Sequence, residues 1–161
     1  MAIERNSSEE AFRKRYRQDM PEGAPVATRL IAWAKAHGLQ RKPRAGPTHD
    51  TLLCFLKLGA NEHKVFTLET NGLIWILFTE IERRFPATDH EKTAAFLALL
   101  REKLANVRGS RAESAEWGGK ASWRLKDTDE AALIAVLEWV LAEHRRHYND
   151  LLDSRRRRRQ D

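Results

Sequence analysis

"FTLETNGLIWILFTEI", residues 66–81, decides how the middle of this 161-residue chain folds. Asn71-Gly72 separates two short apolar runs, and Asn-Gly closes two-residue hairpins because a type I′ turn needs positive φ at both central positions. That turn would set Thr70 opposite Leu73, Leu68 opposite Trp75 and Phe66 opposite Leu77 on one face. The other face would pair Glu69 with Ile74, Thr67 with Ile76 and Val65 with Phe78. A half-buried strand alternates apolar with polar residues, yet 73–81 is apolar at almost every position, so the pattern predicts burial on both sides. Such a strand needs helices on both faces or a second copy of the protein. The expectation is partial cover of the second face by the N-terminal helix and by Trp139. Otherwise Ile74, Ile76, Phe78 and Trp139 would form an interface in a homodimer or a larger complex.

Working outward, "TLLCFLKL" (51–58) and "KVFTLET" (64–70) are short, aromatic and β-branched segments bounded by turn residues, which with 73–81 read as a three-stranded antiparallel meander. "ASWRL" after Gly118-Gly119 can add a fourth, edge strand. Before the strands, Ser7 and Glu10 form a capping box for a helix whose Phe12 and Tyr16 share a face. A second helix runs from Val26 to about His37, with Gly38 as its stop. "LQRKPRAGPTHD", interrupted by Pro43, Gly46 and Pro47, reads as an exposed loop. After the strands, Thr88 with Glu91 and Asp127 with Glu130 are caps for two further helices. Phe96, Leu97, Leu100, Leu104 and Val107 stripe one of them; Leu133, Leu137, Val140 and Leu141 stripe the other. The order α-α-β-β-β-α-(β)-α gives an α+β fold: a small three- to four-stranded antiparallel meander packed with helices. The divisions expected are a basic N-terminal helix or arm (1–22), a single α+β domain (23–153) and an arginine-rich C-terminal tail (154–161).

The formal net charge is +6, and its distribution is uneven. Ten Lys and Arg against five Asp and Glu give +5 for residues 1–46, fourteen against seventeen give −3 for 47–154, and five against one give +4 for 155–161. A mildly acidic body with basic ends points to a polyanionic partner contacted at those ends. The expected nucleic-acid contacts are Arg13, Lys14, Arg15 and Arg17 in the first helix, and Arg41, Lys42 and Arg44 after the second. Arg155, Arg156, Arg157, Arg158 and Arg159 supply the C-terminal set. No helix combines Asn, Gln and Arg at groove-reading spacing, so contact with the phosphate backbone of DNA or RNA is expected without sequence readout. An acidic protein is the alternative partner.

Catalytic signals are sparse, and a non-catalytic accessory module is the expectation. Asp50, followed by Glu62 and Lys64 on the next strand, matches the residue types of Mg²⁺-dependent nucleases, in which carboxylates hold the metal and a lysine positions water. His144 and His147 lie one helical turn apart without a third ligand at a familiar spacing, so no metal site is expected. No glycine-rich phosphate loop is present, and no nucleotide cofactor is expected. Trp33 and Trp75 fit core positions, whereas Trp117 and Trp123 flank Lys120 and Arg124, where an exposed ring can stack on a base. The single cysteine, Cys54, excludes an internal disulfide and suits a reducing, cytoplasmic setting. No apolar run approaches the roughly 20 residues of a membrane span, and no membrane association is expected.

Overall fold

The computed structural model describes residues 8–87, 89–108 and 121–160 and shows, among them, five α-helices and one five-stranded antiparallel sheet, an α+β fold. Helix α1 (Glu9–Asp19) begins at Ser8, whose hydroxyl accepts the Ala11 N–H at 3.0 Å. That is the role expected of Ser7, which lies outside the described residues. Helix α2 (Ala24–Ala36) carries Pro25 in its first turn, where a missing N–H costs nothing, and stops where Gly38 takes φ +77°.

The segment after Gly38 is a strand rather than the expected loop. β1 (Gln40–Arg44) pairs with β2 (Thr51–Leu58), and the sheet continues through β3 (Asn61–Glu69), β4 (Leu73–Ile76) and β5 (Ala121–Arg124) in meander order. Pro43 and the three cations of 41–44 obscured it, yet both are typical of a sheet edge, where one side of the backbone has no ladder partner. β5 is the expected fourth strand and forms the other edge.

The hairpin between β3 and β4 also departs from the expected geometry. Among the described residues only glycines have positive φ, so Asn71 cannot occupy a type I′ turn; Gly72 alone does so, at +89°. Its N–H donates to the Glu69 carbonyl at 2.9 Å, and Leu68 pairs with Ile74 and Thr67 with Trp75. The loop therefore spans three residues, 70–72, and the register moves by one position, which exchanges the faces of β4 relative to β3. A Cβ on Gly72 would meet Met20 Cε at 2.7 Å as well as the left-handed backbone. Gly72→Ala should cost about 1–2 kcal/mol, a fall in Tm of roughly 2–8 °C. A melting curve superimposable on that of the parent would mean the turn has some other conformation.

The apolar run that raised the question of cover is two elements. β4 ends at Ile76, and Phe78–Arg84 forms α3, which buries Phe78 and Ile81 and is followed by buried Phe85. These three lie at positions 0, 3 and 7 of a helical face. In β4, Ile74 and Ile76 face the core and are 0% and 1% exposed, while Leu73 and Trp75 on the other face are half-buried. Leu52, Cys54, Leu56, Phe66, Leu68 and Trp123 complete the buried face of the sheet. A register shift between Cys54 and Phe55 leaves Val65 without an opposite residue, a bulge that lets Val65 and Phe66 both be buried.

Phe12 and Tyr16 of α1 belong to the same buried cluster as Ile74, Ile76 and Phe78. Helix α4 (His90–Ala105) is capped by Asp89, which accepts the Lys92 N–H at 2.8 Å; Thr88 lies outside the described residues. Helix α5 (Glu130–Arg158) is capped by Asp129 rather than Asp127, which sits in a preceding 3-10 turn. Trp139 of α5, partly buried, stacks on Phe96 of α4 at 5.0 Å between centroids and so widens the helical core. No described helix is long and apolar enough to cross a membrane.

Candidate nucleic-acid interface

The basic residues of the N-terminal third divide into structural and available sets. Arg15 donates to Asp19, to Asp50 at 2.7 Å and to the Thr48 carbonyl at 2.7 Å, tying α1 to the start of β2. Arg41 donates to Glu9 at 2.9 Å and to the Leu39 carbonyl, and Arg13 pairs with Glu9 at 3.6 Å. These three cations serve contacts inside the domain. Lys14, Arg17, Lys42 and Arg44 are exposed and have no carboxylate partner among the described residues.

The C-terminal arginines belong to the last helix. Its last buried residue is His147, half-buried Leu151, Leu152 and Ser154 follow, and the final turn, Arg155–Arg158, is exposed. The dipole of a 29-residue helix, about 43 Å long, favours cations at this end. Arg156 pairs with Asp153 at 3.9 Å, whereas Arg155, Arg157, Arg158 and Arg159 have no ion pair among the described residues.

Two residues that sequence reasoning missed join this end. Arg83 and Arg84, at the C terminus of α3, line with Arg155 a cavity of about 400 Å³ that also includes Asn61, His63 and Tyr148. Tyr148 and Arg155, seven positions apart, share one face of α5. No carboxylate lines the cavity; Glu80, just outside, accepts from Arg83 at 2.8 Å and lies 4.0 Å from Arg84. With 73–81 read as one strand, Arg83 and Arg84 carried no sign of where they would point.

Beside the cavity, His63 meets His144 edge-on at 5.5 Å, and Phe85 packs against His144 and His147 at 5.0 and 4.9 Å. The His144 Nδ1 donates to the Val140 carbonyl at 2.8 Å, and burial pushes its pKa down to about 4. Burial likewise lowers His63, partly offset by the nearby Arg84 backbone, which lies outside hydrogen-bond geometry. The His147 Nε2 lies 3.0 Å from Arg146 and 3.4 Å from the Glu143 carboxylate, and burial, followed by the Arg146 charge, lowers its pKa against the pull of Glu143. Among the described residues no group of three or more His, Cys, Asp or Glu is placed to hold a metal ion.

The nuclease constellation does not assemble. Asp50 is at one end of the β2–β3 hairpin, accepting from Arg15 and from the Gly46 N–H, whereas Glu62 lies opposite Lys57 near the other end, roughly 20 Å away along the strands. Cys54 is fully buried and its thiol is pushed up to about 12, as for a core residue rather than a nucleophile. Trp33 is buried, Trp123 is buried opposite Ile74 and so cannot stack on a base, and Trp117 lies outside the described residues. Ile74, Ile76 and Phe78, expected as interface candidates, pack the protein's own core because the register and the start of α3 turn them inward. Comparison with protein-family models, with curated proteins and with solved structures finds no match to this chain.

Proposed function

We propose that this protein is a non-catalytic binding module that grips the phosphate backbone of a nucleic acid through the arginine-bearing end of α5, as an accessory part of a larger assembly. The observation that carries the reading is the exposed last helical turn Arg155–Arg158 with its cap Arg159, whose first arginine lies beside Arg83 and Arg84, with Glu80 and Asp153 the carboxylates paired to this cluster. Cations on a rigid helix bind phosphates with less loss of chain entropy than the same residues on a free tail. Lys42 and Arg44 on the β1 edge and Lys14 and Arg17 on α1 are further backbone contacts under this reading. A reducing cytoplasmic setting suits the single buried thiol.

The experiment compares the full chain with a version ending at Ser154, using labelled single- and double-stranded DNA and RNA at several salt concentrations. The full chain should bind with a steep salt dependence, and truncation should remove about 0.9 from the slope for each duplex phosphate no longer contacted. Identical affinity and slope for the two forms would remove the α5 end from the interface. Failure of both to bind would turn the reading toward an acidic protein partner.

A further inference from the structure

The cavity between α3 and α5 has a composition that backbone contact alone does not require. His63 is 3% exposed, forms part of the wall, and has both ring nitrogens buried without a hydrogen-bond partner. Around it the Asn61 amide and the Arg155 guanidinium, both on exposed residues, and the hydroxyl of half-buried Tyr148 have no side-chain partner among the described residues. Buried polar groups in folded proteins are normally satisfied, so the unpartnered His63 ring is an exception that a ligand would resolve. One buried, unpartnered imidazole in the wall, with the free polar groups of Asn61, Tyr148 and Arg155 and two half-paired arginines around it, makes a set of groups able to hold an acceptor.

Charge and size narrow the ligand. Arg83, Arg84 and Arg155 against Glu80 leave two net positive charges at the rim. A carboxylate or an internal phosphodiester brings a single negative charge, whereas a phosphate monoester carries about −1.5 to −2 at pH 7 and three oxygens that accept hydrogen bonds. The forks of arginine suit those oxygens. A volume of about 400 Å³ is at the small end of ligand pockets, which start near 300 Å³. A neutral imidazole adds one donor and one acceptor, which matches a group whose second ionisation lies near pH 6.

We propose that this cavity binds a phosphate monoester, carried either by a free small molecule or by the phosphorylated end of a nucleic-acid strand. The strand-end form rests on the backbone-binding reading above; the small-molecule form does not. Arg84 and Arg155 grip the phosphate from α3 and α5, with His63 in the wall beside it.

The test follows the His63 imidazole by NMR in the full chain while inorganic phosphate, adenosine 5′-monophosphate or adenosine is added. In parallel, affinities are measured for one oligonucleotide with a 5′-phosphate or a 5′-hydroxyl. The same measurements are made on R84A/R155A and on R157A/R158A/R159A, all of them exposed positions, with circular dichroism confirming the fold. Phosphate and the monophosphate, but not adenosine, should move the His63 signals. The effect should vanish in R84A/R155A and persist in the triple variant, and the phosphorylated end should bind about tenfold more tightly. Absence of any shift with phosphate and the monophosphate, or an equal shift with adenosine, overturns the assignment. If both phosphate compounds bind and no oligonucleotide does, the cavity stands as a small-molecule site and the nucleic-acid reading falls. If oligonucleotides bind irrespective of their ends and His63 does not respond, the cavity assignment falls and backbone binding stands.

Discussion

Phe78→Ala should destabilise the protein by about 3–5 kcal/mol, the usual loss for truncating a buried phenylalanine. The ring is 2% exposed, belongs to the main core and carries the Arg101 guanidinium 5.2 Å above its face. Against a typical stability of about 5–15 kcal/mol this is a large share, and urea unfolding at neutral pH would read it as a lower midpoint with little change in slope. Leu77→Ala next to it, at a half-buried helix cap, should cost much less. The contrast separates two uses of the same residue. If Phe78 lay on an open strand face holding two copies together, its removal would halve the particle mass in light scattering and leave the stability of each chain nearly unchanged. A destabilisation below about 1 kcal/mol together with a change in mass would therefore sink the core assignment.

Phe78 also shows where sequence reading reaches its limit. Phe78, Ile81 and Phe85 repeat at helical spacing, but the run is so short, and so closely preceded by the strand residues Leu73–Ile76, that a period of two and a period of 3.6 cannot be separated by inspection. The longer helices had no such ambiguity. Leu100 and Leu104, and Leu133, Leu137 and Leu141, recur over several turns and are all buried as expected. The caps were misplaced by one or two residues, from Ser7 to Ser8 and from Asp127 to Asp129, because adjacent polar residues are chemically able to do the same work. The hairpin register depended on a backbone angle: Asn-Gly permits a type I′ turn without requiring it, and one slipped residue moved Ile74 and Ile76 from the outer face to the inner.

The candidate site was legible in a different proportion. The arginines at its exposed end stand out in composition, and their helical phase follows from an uninterrupted α5. Arg83 and Arg84, by contrast, are about seventy positions from Arg155, and only the mutual placement of α3 and α5 brings them together. Local pattern cannot supply that, because it is a property of packing. The same holds for Arg15 and Arg41, whose carboxylate partners Asp50 and Glu9 are 35 and 32 positions away and turn apparent ligand contacts into internal struts.

Acidification should weaken the hold on α5 well before the carboxylates titrate. His144 is 1% exposed and meets His63 from β3, Phe85 after α3 and Phe96 from α4, with His147 and Glu143 on its own helix. Its pKa falls from an ordinary 6.5 to about 4, chiefly through burial, with the neighbouring imidazoles adding to the shift and the Val140 carbonyl opposing it. The sign follows from proton counting. Below pH 6.5 the unfolded chain binds a proton at this position and the folded chain does not, so stability is fully present above 6.5 and is lost as pH falls towards 4. A shift of this size corresponds to about 3 kcal/mol once the loss is complete, and the lowered values of His63 and His147 act in the same direction. Glu80 and Glu143, held below the ordinary carboxylate range chiefly by hydrogen bonds from Arg83 and Arg146, add their own losses only below about pH 4.5. Urea unfolding from pH 7.5 to 4.5 should thus show a steady decline, and His144→Leu should flatten it. Equal slopes for the two proteins would mean that His144 is not the buried neutral group described. A flattened slope would tie the stability of the arginine-bearing helix to the protonation of its inner face, because His144 and His147 are the last buried residues before the exposed final turn of α5.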